Sequence, residues 1–150
     1  MEHEDLRLGN QLCFRLYTAS RLIVKSYTPL LSGLGITYPQ YLVLMVLWEE
    51  SPLSVNEIAH RLMLQTNTVT PLLKRMESMG IVERRRGKGD MRQVIVGLTE
   101  RGKAMEDEAG DIPSTQVARF VCNGATEETI PGISKRLDKL IEILKGMTGE

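Results

Sequence analysis

The sequence predicts a mostly α-helical chain that carries one small β-hairpin. Three observations predict it. Apolar residues recur at helical spacing along most of the 150 residues. Two short strand-like segments, Ile81 to Arg86 and Arg92 to Leu98, are joined by a glycine-bearing tip, Gly87-Lys-Gly-Asp90. That hairpin follows directly on two short helices, each with a start signal of its own.

The elements follow in order. Residues 6–32 read as one long helix, with Leu12, Leu16, Ala19, Ile23, Tyr27 and Leu30 at helical spacing, and Ser32-Gly-Leu-Gly35 ends it. Thr37-Tyr-Pro-Gln40 is a capping box with proline tolerated in the first turn; it opens a Leu- and Val-rich helix to about Glu50. Ser54-Val-Asn-Glu57 is a second capping box and starts a short helix to about Leu62. Thr66 is the expected N-cap of the next helix, which runs to about Met79 and stops at Gly80. After the hairpin, Thr99 caps a helix with Glu100 in its first turn, which breaks near Gly110 to Pro113 and resumes to about Val121. Thr126 is expected to cap a last helix, bent near Pro131-Gly132, with Leu137, Leu140, Ile141 and Leu144 on its apolar face. Helix–turn–helix followed by a two-stranded hairpin is the winged-helix plan.

Composition bounds the function. The chain has one-domain length and a net charge of zero, but residues 54–103 carry +5 and the flanks −5. A basic middle between acidic ends points to a local anionic partner. Two cysteines make no disulfide framework, the N-terminus is acidic rather than leader-like, and no apolar run is long enough to span a bilayer. The expectation is a cytoplasmic protein with reduced thiols and no membrane association. His3, His60, Cys13 and Cys122 do not match a closed zinc-site spacing.

Thr66 to Met79 carries the DNA-reading pattern. Val69, Leu72, Leu73 and Met76 make one buried stripe, leaving Thr66, Asn67, Thr68, Thr70, Lys74 and Arg75 largely on the other side. Thr and Asn suit base edges in a major groove; Lys and Arg suit phosphates or guanine. Pro71 forfeits one helical hydrogen bond. The hairpin adds Arg84, Arg85, Arg86, Lys88 and Arg92, a basic tip suited to a minor groove or the adjacent backbone. Asp90, two residues before Arg92, is placed to hold that guanidinium. A merely solvated basic face is the alternative, and the joint occurrence of element order, polar face and charge segregation argues against it.

Leu98-Thr-Glu-Arg-Gly-Lys103, preceded by Asp90-Met-Arg92 and Val94-Ile-Val96, resembles the MarR family of winged-helix transcription factors, and Thr68 to Arg86 strengthens the likeness. The resemblance covers roughly residues 6–146. It implies a single domain with a winged-helix part at about 36–103, end helices at about 6–32 and 114–146 that form a dimerisation region, and a homodimer on double-stranded DNA with a palindromic operator. No cofactor is implied.

The remaining question is Cys13. All four tyrosines, Tyr17, Tyr27, Tyr38 and Tyr41, lie at or before residue 41. At about 100° per residue, Cys13, Tyr17 and Tyr27 fall within about 40° of one line on the first helix. Cys13 and Tyr27 are nevertheless roughly 21 Å apart along it, so they meet only between two copies crossing antiparallel near Ala19 and Ser20. Phenol hydroxyls donating to sulfur stabilise the reactive thiolate, and a sulfenic acid formed there is open to capture by a second thiol.

Leu12 to Glu49 is similar to the organic hydroperoxide-sensing branch of MarR, the OhrR type. There the N-terminal cysteine is the peroxide sensor, held by tyrosines matching Tyr27 and Tyr38 with Tyr17 close by, and oxidation releases the repressor from DNA. Some members are capped by a low-molecular-weight thiol; others carry a second cysteine that resolves the first across the dimer, a role for which Cys122 is a candidate beside the alternative of an incidental thiol. Competing readings are a repressor released by a small aromatic ligand, a thiol-based global stress or virulence regulator, and, with little support, a thiol peroxidase. Lacking a Cys-x-x-Cys, a peroxidatic loop and a βαβ pattern, the chain is not expected to be an enzyme.

Overall fold

A computed structural model of the chain describes residues 3–126 and 128–149. It divides into two compact units, one up to Gly110 and the other from Asp111 onward.

The first unit begins with two 3-10 turns, Glu4–Leu6 and Leu8–Asn10, before helix α1, Leu12–Leu31. The expected helix from residue 6 therefore starts six residues late. Gly9 and Asn10 are poor helix formers, and the Asn10 amide bonds the Glu4 carbonyl at 2.9 Å, competing with a helical turn. The predicted stripe of α1 is not a core within the chain: only Leu31 is buried, while Leu12, Leu22 and Ile23 are exposed.

Helix α2, Tyr38–Glu49, is the centre of the unit, with Val43 and Leu44 at zero exposure. Thr37 donates its amide to Gln40 Oε1 at 2.8 Å, closing the predicted box. Helix α3, Val55–Leu62, opens as predicted, with Glu57 N–H donating to Ser54 Oγ and Ser54 N–H to Glu57 Oε2. Met63 then takes a left-handed conformation to turn the chain. Helix α4, Thr66–Ser78, begins one residue before the expected N-cap boundary: Gln65 is the cap and Thr66 the first helical residue, because Gln65 O already accepts from Thr68 N and Val69 N. Gly80, with φ +70°, ends it as read.

The wing is a three-stranded sheet. Strands β2, Val82–Arg86, and β3, Val94–Leu98, pair antiparallel with Val82 opposite Leu98 and Arg86 opposite Val94. Strand β1, Leu53–Ser54, pairs with β3 on its other edge. The tip is longer than expected, Gly87 to Gln93, because Asp90–Gln93 is a turn closed by Gln93 N–H to Asp90 O at 3.0 Å. Arg92 therefore leaves the strand.

Helix α5, Glu100–Ala109, is capped by Thr99 Oγ1, which accepts from Gly102 N, and is tied back to the wing base by Thr99 N–H to Ile81 O. Leu44, Ile58, Leu73, Met76, Ile81 and Val96 make a common core at zero exposure.

The second unit holds helix α6, Ile112–Cys122, and helix α7, Thr129–Thr148. α7 starts three residues after Thr126, whose amide donates to Thr129 Oγ1 at 2.8 Å. Pro131 thus falls in the first turn, where no amide partner is needed, instead of bending the helix. Val117, Val121, Ile133, Ile141, Ile143 and Leu144 are exposed. Among the described residues, no single helix is long and apolar enough to cross a membrane.

Candidate DNA interface and thiol site

Helix α4 buries Val69, Leu73 and Met76 completely and leaves Leu72 half-buried. Thr66, Asn67, Thr68, Lys74 and Arg75 are exposed and Thr70 is half-buried, so the six polar residues lie off the packed stripe as expected. Thr70 Oγ1 turns inward to Thr66 O at 2.7 Å, which lowers its availability to an outside partner.

The wing cations divide. Arg84 is a bracing residue: its side chain is only 17% exposed and its Nη1 donates to Glu77 Oε2 at 3.1 Å, joining β2 to the end of α4. Arg85 pairs with Glu83 at 2.5 Å. Arg86, Lys88 and Arg92 are exposed. Asp90 does two jobs at the tip. Its Oδ1 accepts from Arg92 N at 2.9 Å and lies 4.0 Å from Arg92 Nε, so it shapes the turn more than it grips the guanidinium. A groove of about 340 Å³ runs between the start of α3, α4 and the wing, lined by Asn56, Thr66, Thr70, Arg84, Asp90 and Arg92. Asn56, which periodicity gave no reason to single out, joins this wall because the capping box at Ser54 sets where α3 begins.

Cys13 is exposed on the first turn of α1, and Tyr17, one turn on, is 62% exposed with the Arg21 guanidinium 5.5 Å over its ring. At the other end of α1 the rings of Tyr27 and Tyr38 lie 4.9 Å apart, with Tyr41 at 6.2 Å and 6.4 Å from them. Tyr41 is the member that sequence reasoning left unassigned. It is 3% exposed and bridges the cluster to Trp48, whose Nε1–H donates to Gly102 O on α5 at 2.9 Å. Its position three residues after Tyr38, on the same face of α2, was the available signal. Burial raises the phenol pKa of Tyr27, Tyr38 and Tyr41; in Tyr27 and Tyr41 neighbouring phenols add to it. All three therefore remain O–H donors across the physiological range. Cys122 ends α6 and is exposed.

The raised phenol pKa values give a signed expectation. Between the ordinary value near 10 and the higher folded value, the unfolded chain binds fewer protons, so stability present below pH 10 is lost as pH rises. Tyr38→Phe is expected to flatten that alkaline loss. Denaturant unfolding followed by Trp48 fluorescence from pH 8 to 11 measures it, and identical pH slopes for both proteins would refute it.

A buried-stripe helix with a polar outer face, beside a basic three-stranded wing, defines a winged-helix DNA-binding protein. The chain belongs to the MarR/SarA family of winged-helix transcriptional regulators, a family of regulators rather than enzymes. Residues 25–109 match the family model described as transcriptional regulator SarA/Rot. The chain is 48% identical over 141 residues, 94% of each chain, to the organic hydroperoxide resistance transcriptional regulator of Bacillus subtilis. Among solved structures it is similar to AbfR of Staphylococcus epidermidis: the reduced form bound to DNA aligns at 38% identity over 99% of each chain with TM-score 0.81. The disulfide form aligns at 37% over 98% of this chain and 96% of that one, TM-score 0.63.

Proposed function

We propose that the chain is a homodimeric repressor of a palindromic operator that senses organic hydroperoxides through Cys13 and then releases DNA. The observation that carries the DNA part is the single groove shared by α4 and the wing, with exposed Lys74, Arg75, Arg86, Lys88 and Arg92 around it. A relative 38% identical over nearly the whole chain was crystallised on DNA. In this reading Asn67 and Thr68 read base edges, Thr66 and Thr70 line the approach, and the cations hold phosphates. Arg84 and Asp90 act by positioning α4 and the tip.

The homodimer supplies what one chain lacks. The exposed apolar stripe of α1, and the exposed faces of α6 and α7, are surfaces for a second copy. Antiparallel crossing of two α1 helices brings Cys13 of one copy to the Tyr27–Tyr38 hydroxyls of the other, with Tyr17 beside it. The thiolate attacks the distal oxygen of the hydroperoxide: an S–O bond forms, the O–O bond breaks, and the alcohol leaves. The sulfenic acid then condenses with a second thiol and loses water. That thiol is Cys122 or a low-molecular-weight thiol. An apolar recess of about 220 Å³ beside Tyr38, lined by Val24, Leu31, Ile36 and Pro39, favours an alkyl peroxide over hydrogen peroxide.

Operator titrations across a salt series test the interface. Lys74→Ala and Arg92→Ala are each expected to weaken binding and to reduce the slope of log K against log salt by about 1. Unchanged slopes in both would remove them from the contact set. Release by a small aromatic compound without any oxidation would instead favour a ligand-gated repressor.

A further inference from the structure

Among the described residues, the large exposed apolar side chains fall on the N-terminal segment, α1 and the second unit, except Met45, Met63, Leu64 and Met91. Met91 is the most exposed of those four, at 63%, and stands at the outermost point of the wing. Turn corners normally go to Gly, Asn, Asp or Ser, whose side chains or flexibility serve the turn. A methionine there serves something outside it.

The tip is built to present it. Gln93 N–H to Asp90 O, at 3.0 Å, closes a four-residue turn whose two central positions are Met91 and Arg92. Asp90 Oδ1 takes the Arg92 amide at 2.9 Å, and Gly87 N–H donates to Gln93 O at 2.9 Å. A Cβ at Gly87 would lie 2.7 Å from Asp90 O, so glycine is what lets the turn fold this tightly. The turn is held from both sides while its corners point to solvent, with the Arg92 side chain 97% exposed. Arg86, Lys88 and Arg92 surround the methionine with positive charge. An apolar tip in a cationic collar is complementary to a narrow polyanionic groove and ill-suited to a lipid-like or acidic-peptide partner, which would ask for a broader face.

We propose that Met91 is a minor-groove wedge. Resting on the reading of the wing as a DNA contact, Arg92 holds the groove wall electrostatically, and the Met91 thioether packs against base edges and opens an adjacent base step. The wing then favours flexible pyrimidine–purine steps and reads sequence by deformability, without hydrogen bonds to bases.

The test uses the full-length protein and a duplex recovered by in-vitro selection with wild type from a random library. Met91→Ala is expected to weaken binding roughly tenfold, as loss of most of a buried methionine implies, with no change in salt slope. Met91→Leu restores affinity. A 2-aminopurine placed at the step under the tip brightens on binding wild type and not Met91→Ala. If Met91→Ala binds as wild type while Arg92→Ala does not, the wedge is wrong and the wing contact stands. If neither variant changes binding, the wing contact falls as well. A salt slope that shifts with Met91→Ala would make the residue a prop for Arg92 and overturn the wedge.

Discussion

Cys13→Ser is expected to bind operator DNA as wild type does and to ignore cumene hydroperoxide. The substitution changes one atom, at an exposed position on the first turn of α1, remote in sequence from α4 and the wing. Surface changes of this kind usually alter free energies by less than about 0.5 kcal/mol, so affinity should stay within about twofold. Serine lacks the soft, oxidisable sulfur, so no sulfenic acid forms and nothing is left to condense with a thiol. Wild-type affinity should fall at least about tenfold on oxidation, a change of about 1.4 kcal/mol. Operator titration with and without the peroxide measures both. Cys122→Ser separates the two possible partners of the oxidised thiol. Loss of an intersubunit crosslink with release retained indicates capping by a small thiol, and a failure to stay released indicates that Cys122 resolves Cys13.

The largest effect on stability is expected at Gly102. A Cβ there would collide with the Ile81 carbonyl oxygen and sit 3.1 Å from Leu98 Cδ2. Backbone cannot swing aside as a side-chain tip does, so α5 must lift from the wing base. That strains the Thr99 cap and the Trp48 bond to Gly102 O at 2.9 Å. Gly102→Ala should cost about 3 kcal/mol, the upper part of the usual overpacking range. Gly33→Ala is the control: nothing lies within 4 Å of its Cβ and its φ is not positive, so stability should hold or rise slightly. Denaturant unfolding followed by Trp48, the single tryptophan, reads both. Equal behaviour of the two variants would contradict the close approach of α5 to the wing.

Much of this architecture was legible because local chemistry and tertiary structure agree. The boxes at Thr37 and Ser54, the stop at Gly80 and the cap at Thr99 each satisfy backbone groups within a few residues, and each formed where it was read. Boundaries failed where competition is subtle. Asn10 drew the chain into 3-10 turns, and Thr66 lost the cap position to Gln65. β1 is two residues long and shows no alternation, so only pairing with β3 reveals it. The α4 stripe was readable because its burial is settled within one unit. Arg84 was not: a cation in a basic run looks like its neighbours until its pairing with Glu77 is seen. The tyrosines were visible as a set, but Tyr41 joins Tyr27 and Tyr38 only once α1 and α2 pack together. The meeting of Cys13 with Tyr27 belongs to a second copy of the chain and is a matter of assembly rather than of one fold.

The central claim is that oxidation of Cys13 is the event that frees the DNA. The most direct measurement titrates the operator-bound protein with cumene hydroperoxide, following DNA release by fluorescence anisotropy and the oxidation state of Cys13 by mass spectrometry in the same samples. The account predicts that the fraction of DNA released tracks the fraction of Cys13 oxidised at every dose. DNA leaving while Cys13 remains a thiol, or Cys13 fully oxidised with the operator still bound, would contradict it.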